Sequence, residues 1–353
     1  MNRQTQTPLR MQAESIASLS VGVALLICTI GCVPRPENEV VVYSALDQEF
    51  AAPILGAFQR QSEDGITVSP RFDIESTKTI GLVNRILAER ENPSCDLFWN
   101  NEILHTVRLQ KEGLLRPFDW QTDPSWPSGY KASDGTWCGF AARVRVLLIN
   151  REVLTDPEQW PTSVLDLADP SWKGRCGIAR PLFGTTATHA AVLNDRLGQA
   201  DADALFRQIA ANAVVLSGNK QVAQSVSAGQ IAWGLTDTDD AIIERDLGFP
   251  VEIVFPDQSP EQMGALRIPN TLAILKDAPH SVAAERLAAY LMSAGSEERL
   301  AMGDSAQIPL FRAVTVQPRV MPDEPVRWMN ADFESAADDW ESLANRLNEI
   351  FPQ

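Results

Sequence analysis

VVVYSALDQEFAAPILGAFQRQ, residues 40–61, decides the fold. Val40-Val41-Val42-Tyr43 is a short β-branched run closed by Ser44, the pattern of a strand buried on both faces. Over 47–61, Phe50, Ile54, Leu55 and Phe58 recur at helical spacing, with Pro53 close to the start. Moving outward, 66–72 alternates apolar and polar like a second strand. Residues 79–89 then set Ile80, Val83, Ile86 and Leu87 on one helical face. Asp96-Leu97-Phe98-Trp99 is a further buried strand, and 102–112 reads as the next helix. Strand and helix in alternation predict an α/β class with a parallel sheet covered on both faces.

The rhythm changes after residue 125. Residues 126–137 are rich in Ser, Gly, Lys and Asp and read as loop, and 140–150 is a long strand carrying Arg143 and Arg145. The αβ pattern resumes over 177–254, and a second long strand, 266–275, precedes the C-terminal helices. Two long strands flanking a middle segment predict a chain that crosses into a second lobe and returns. Lobe one is then 40–140 with 265–353, and lobe two is 141–264. A chain of 353 residues exceeds the size at which one core keeps growing, which also favours two lobes.

The amino end reads as an export signal over 1–31. Arg3 and Arg10 precede an uncharged apolar run, 17–30, which is too short to cross a ~30 Å hydrocarbon core as a helix. Gly31-Cys32 then places a small residue before a cysteine, the arrangement of a lipoprotein signal, so Cys32 is the expected lipidation site. Residues 32–39 read as a tether. The expected localisation is a periplasm, with the membrane reached only through the lipid. Cys95, Cys138 and Cys176 form no zinc spacing and read as small buried residues. A net charge of −16 excludes nucleic acid as a partner, since its phosphates would be repelled.

In an open αβ sheet, ligands sit beyond the carboxyl ends of strands. Ser44 and Asp47 follow the first strand, Glu75 and Ser76 the second, and Asn101 and Glu102 the third. In the middle segment, Gly184-Thr185-Thr186 opens an Ala-rich helix with the composition of an anion site at a helix N-terminus. A similar turn is Gly218-Asn219-Lys220. Gly234-Leu235-Thr236-Asp237-Thr238-Asp239-Asp240 follows the apolar run 231–233 and opens a helix. Three aspartates in four residues exceed what capping needs and call for a cation, an ammonium group or a ligand rich in donors. No GxSxG, HExxH or P-loop is present. A carboxylate hydrolase built from Glu75, Glu102 and Asp237 has no positive support, so no enzyme and no cofactor is expected.

VVVYSALDQEFAAPILGAFQRQ, DIESTKTIGLVNRI, DLFWNNEI, GFAARVRVLLIN, PLFGTTATHAA and GLTDTDDA, in this order, resemble the periplasmic solute-binding proteins of the ferric-ion type. The resemblance covers 40–312. It implies a two-lobed type-2 periplasmic binding fold, each lobe a mixed, mostly parallel sheet flanked by helices. It also implies an ABC importer permease as partner and a monomer that closes on its ligand. Ferric members commonly carry two adjacent tyrosines after a Gly-Leu pair, and Asp239 and Asp240 hold those positions here. The resemblance therefore implies transported Fe3+ or a similar metal held by Glu75, Glu102, Asp239 and Asp240. Arg143 and Asn219 complete the expected ligand set, and the Thr185-Thr186 turn matches the place of a synergistic anion. The alternative ligand is an aminophosphonate or a sugar phosphate.

Overall fold

The computed structural model describes residues 38–73, 79–122, 126–127 and 129–352. The expected signal with Cys32, and the loop holding Glu75 and Ser76, lie outside the described residues. β1 (Glu39–Ser44) pairs in parallel with β2 (Thr67–Phe72) and β3 (Leu97–Asn100). α1 (Gln48–Gln61) buries Ala51, Ile54, Leu55 and Phe58, the periodic face expected of it. α2 (Ile80–Ala88) and α3 (Leu104–Lys111) complete the first αβ run, followed by the short β4 (Leu115–Arg116).

The long strand is β5 (Trp137–Asn150), and every residue of it is buried. Its first half pairs antiparallel with β10 (Arg267–Leu275), which continues to β3. Its second half pairs antiparallel with β8 (Trp233–Asp237) and β9 (Val251–Val254). Beyond β8, β6 (Cys176–Ala179) and β7 (Val214–Leu216) run parallel, so the path reads β2-β1-β3-β10-β5-β8-β6-β7. One strand thus serves two sheets, which accounts for its burial from end to end. Trp99, Trp137 and Trp233 are fully enclosed. Burying a large apolar side chain contributes about 1.5–3 kcal/mol, so the core is anchored at both sheets.

The middle segment supplies α4 (Gly184–Leu197), α5 (Gln199–Asn212), α6 (Asn219–Ser227) and α7 (Thr238–Asp246). The C-terminal part supplies α8 (Ser281–Leu291), α9 (Ala294–Met302), α10 (Phe333–Asp338) and α11 (Trp340–Ile350). α10 rests on both α3 and α4, and α11 rests on α4 and α5. Arg346 fastens α11 by donating to Asp203 at 2.9 Å and to Asn194 at 2.8 Å.

One local expectation is corrected. The strand read at 231–233 runs instead from Trp233 to Asp237, and the helix opens at Thr238. Gly234 makes the shift possible, because a Cβ there would come within 2.5 Å of the Val222 side chain on α6. Cys95, Cys138 and Cys176 are free and buried, as read. Among the described residues, no helix is long and apolar enough to cross a membrane.

Candidate ligand-binding site

The carboxyl ends of β6, β7 and β8 deliver the N-termini of α4, α6 and α7 to one place, facing the loop after β3. A pocket there is lined by Asn101, Arg143, Arg180, Thr186, Asn219 and Asp240, among others. Gly184 begins α4 with φ +54°, a left-handed value that glycine takes without steric cost. The first-turn N–H groups of a helix have no partner within it, so α4 and α6 both present donors to this pocket.

Register explains the central pair. Arg145 of β5 stands directly opposite Asp237 of β8 in the antiparallel ladder. Its Nη1 donates to Asp237 Oδ1 at 2.7 Å, to Asn219 Oδ1 at 3.0 Å and to Thr185 Oγ1 at 3.2 Å. Asp237 Oδ2 accepts from the Thr185 hydroxyl at 2.5 Å and from Asn219 Nδ2 at 2.9 Å. Thr186 Oγ1 donates to Asn219 Oδ1 at 3.1 Å. Asp237 is therefore engaged by protein donors on both oxygens.

Arg143, two residues earlier on the same strand, is 2% exposed and lines the pocket. Its Nη1 lies 3.3 Å from Asp239 Oδ2, and its Nη2 donates to Asn270 Oδ1 at 3.4 Å. Burial opposes its charge, but the carboxylates of Asp239, Asp237, Asp47 and Asp240 outweigh that and raise its pKa above the ordinary arginine value. The Nε atoms of Arg143 and Arg180 are buried with no hydrogen-bond partner among the described residues. Carboxylate oxygens of Asp237, Asp239 and Asp240 lie within 4.8 Å of one another, close enough to share a cation.

The other expected contacts sit differently. Glu102 is fully buried and absent from the pocket lining. It accepts from Asn100 Nδ2 at 2.7 Å, from the His105 backbone N–H at 3.2 Å and from the Thr188 hydroxyl at 2.8 Å, and its Oε1 lies 3.0 Å from His105 Nδ1. Burial works against its ionisation, but His105 and these hydrogen bonds prevail and hold its pKa below the usual carboxylate value. Ser44 donates to the Leu46 carbonyl at 3.2 Å, and Asp47 stands at the N-cap position of α1 without a side-chain capping bond, its charge acting on Arg143. Asn101 Oδ1 accepts from Thr79 at 2.9 Å. Tyr43 donates to Glu89 and Tyr130 to the Arg267 carbonyl, while Tyr290 sits beside Arg299. No tyrosine lines the pocket.

Arg145 and Arg180 are the residues that sequence reading missed. Two arginines at i and i+2 in GFAARVRVLLIN share one face of an apolar strand, and a buried guanidinium needs carboxylate partners. That pattern was the available signal for Arg145. Arg180 carries no comparable one.

Comparison with known proteins follows the same lines. The Fe(3+)-binding periplasmic protein of Serratia marcescens is 25% identical over 228 residues, 64% of this chain and 65% of that one, just under two thirds of its length. Iron-bound HitA from Pseudomonas aeruginosa superposes with a TM-score of 0.76 at 23% identity, covering 88% of this chain and 99% of that one. AfuA from Actinobacillus pleuropneumoniae, with exogenous fructose-6-phosphate bound, superposes with a TM-score of 0.75 at 20% identity, covering 89% and 98%. These likenesses show the two-lobed type-2 periplasmic binding fold. Residues 95–336 match the model of the bacterial extracellular solute-binding proteins, and the chain belongs to that family.

Proposed function

We propose that the chain is the capture subunit of an ABC importer, a binding protein rather than an enzyme, working as a monomer in the periplasm on a lipidated Cys32. Its partner is the importer's permease. Its solute is a compact oxyanion on an organic body, a phosphate or phosphonate compound. Arg143 carries this reading: a guanidinium that is 2% exposed, with a buried Nε lacking a hydrogen-bond partner among the described residues, lines a pocket between two helix N-termini.

Charge weighs against a bare cation. Four carboxylates, Asp47, Asp237, Asp239 and Asp240, meet two buried guanidiniums, Arg143 and Arg145, which leaves two negative charges. Arg180, which also lines the pocket, reduces this to one. Unit charges 4 Å apart interact by about 4 kcal/mol at an effective dielectric of 20, so guanidiniums this close would oppose a trivalent ion strongly. The fructose-6-phosphate in the Actinobacillus protein supports the oxyanion reading by analogy. A second reading is Fe3+ carried together with an anion, which the 4.8 Å carboxylate cluster and the ferric-binding relatives favour.

Thermal melts separate the two. A ligand at a hundredfold excess over its Kd stabilises the folded state by about 2.7 kcal/mol. The expected result is a rise in Tm with a panel of sugar phosphates and phosphonates, unaffected by chelator and lost in Arg143→Ala. A rise with ferric citrate alone, abolished by chelator, establishes the metal reading instead. No rise with either sinks both.

A further inference from the structure

Strand β5 carries one residue more than the strand beside it. Asn270 of β10 faces Phe140 and Pro269 faces Ala142, so Ala141 has no partner across the ladder. Its φ is +40°, a left-handed value that a residue with a Cβ keeps only where its surroundings hold it. They do so here. Glu297, in the first turn of α9, accepts the Ala141 backbone N–H at 2.6 Å, and the Asn270 amide donates to the Ala141 carbonyl. Ala142 exchanges backbone hydrogen bonds of 2.8 and 2.7 Å with Ile308.

Glu297 is fully buried and spends its remaining capacity on the backbone N–H groups of Leu310 and Phe311, at 2.8 and 2.7 Å. A carboxylate is costly to bury, and an apolar residue would fill the space more cheaply. What an apolar residue cannot do is receive the N–H that a bulge leaves without a ladder partner. Burial raises the Glu297 pKa, and the three backbone donors moderate the rise.

The bulge has a downstream effect. Side chains alternate along a strand, so one extra residue reverses the facing of every residue beyond it. Beyond Ala141 lie Arg143 and Arg145. In a regular ladder both would turn to the opposite face of β5, away from Asp237 and Asp239.

We propose that Glu297 is a positioning residue for the cleft: by holding Ala141 out of the ladder it sets the facing of Arg143 and Arg145. The proposal rests on the reading of Arg143 as a ligand contact. Glu297 itself is absent from the pocket lining.

The test uses the full chain, with inorganic phosphate as the probe in titration calorimetry. Glu297→Gln keeps the shape but loses an acceptor. It should weaken phosphate binding by about tenfold or more, the effect of roughly one displaced charged hydrogen bond. The double variant Glu297→Gln/Arg143→Lys should bind no more weakly than Arg143→Lys alone, which keeps the charge and so a measurable affinity. Native-like binding by the Gln variant, or losses that add independently, overturns the proposal. Deletion of Ala141 is the second variant, because it removes the extra residue and leaves Glu297 in place. It should lose phosphate binding with its circular dichroism retained, and retained binding counts against the proposal. If the unmodified chain takes no phosphate, the oxyanion reading falls, and a crystal structure of Glu297→Gln decides the role of Glu297. An intact bulge with Arg143 still beside Asp239 would overturn it, and Arg143 turned away would sustain it.

Discussion

Asp237 differs from its two acidic neighbours in what its loss would leave behind. Its removal strands Arg145, a fully enclosed guanidinium whose Nε and Nη2 already lack partners among the described residues. Breaking a buried ion pair by deleting one member typically costs about 3–5 kcal/mol. Asp237→Ala should therefore lower the urea midpoint by a large fraction of the total stability, where a pure ligand contact would leave it unchanged. Little of this was legible in the sequence. GLTDTDD shows three aspartates and an excess of charge, but which one meets an arginine depends on the register of β5 against β8. That register pairs residues 92 positions apart.

At the scale of elements, α4 carries a second consequence of the same cluster. His189 sits inside this helix, and burial first and the charge of Arg145 second push its pKa down from 6.5 to about 3. Between those values an unfolded chain takes up a proton that the folded one refuses. Folding stability should accordingly fall as pH drops from 6.5 towards 3, with the loss complete below that. His189→Leu should flatten this dependence in urea melts taken across the window, and an unchanged slope would show that another group is responsible. The helices themselves were readable, because the apolar spacing that defines α1 and α2 is local. β8 was misplaced because its glycine looks like a turn and is in fact the point where α6 approaches the sheet. The extra residue at 141 left no trace at all, since GFAARV reads as an ordinary apolar strand and the partners that hold the bulge lie more than a hundred positions away.

For the whole molecule, the two-sheet plan followed from the alternation of strands and helices and from two long strands. The placement of the C-terminal helices did not, because α10 and α11 are amphipathic and nothing local says which surface they cover. They cover α3 on one side and α4 with α5 on the other, burying Phe333, Trp340, Leu343 and Leu347. Four such side chains contribute about 1.5–3 kcal/mol each, a sum comparable with the net stability of a domain. A chain ending at Ala331 should consequently lose its cooperative thermal transition, and a transition preserved at the native temperature would show that these helices are dispensable. The enclosed thiols have a practical consequence. Burial pushes Cys176 up to about 12 and Cys95 and Cys138 up as well, so at neutral pH none of the three presents the thiolate that alkylating dyes attack. Glu49 of α1 and Lys220 of α6 face each other, 3.4 Å apart between charged atoms. Cysteines introduced at those two positions would be the accessible pair within residues 38–352, so a fluorophore and a quencher placed there would record any change in the separation of α1 and α6 in single molecules against a silent background.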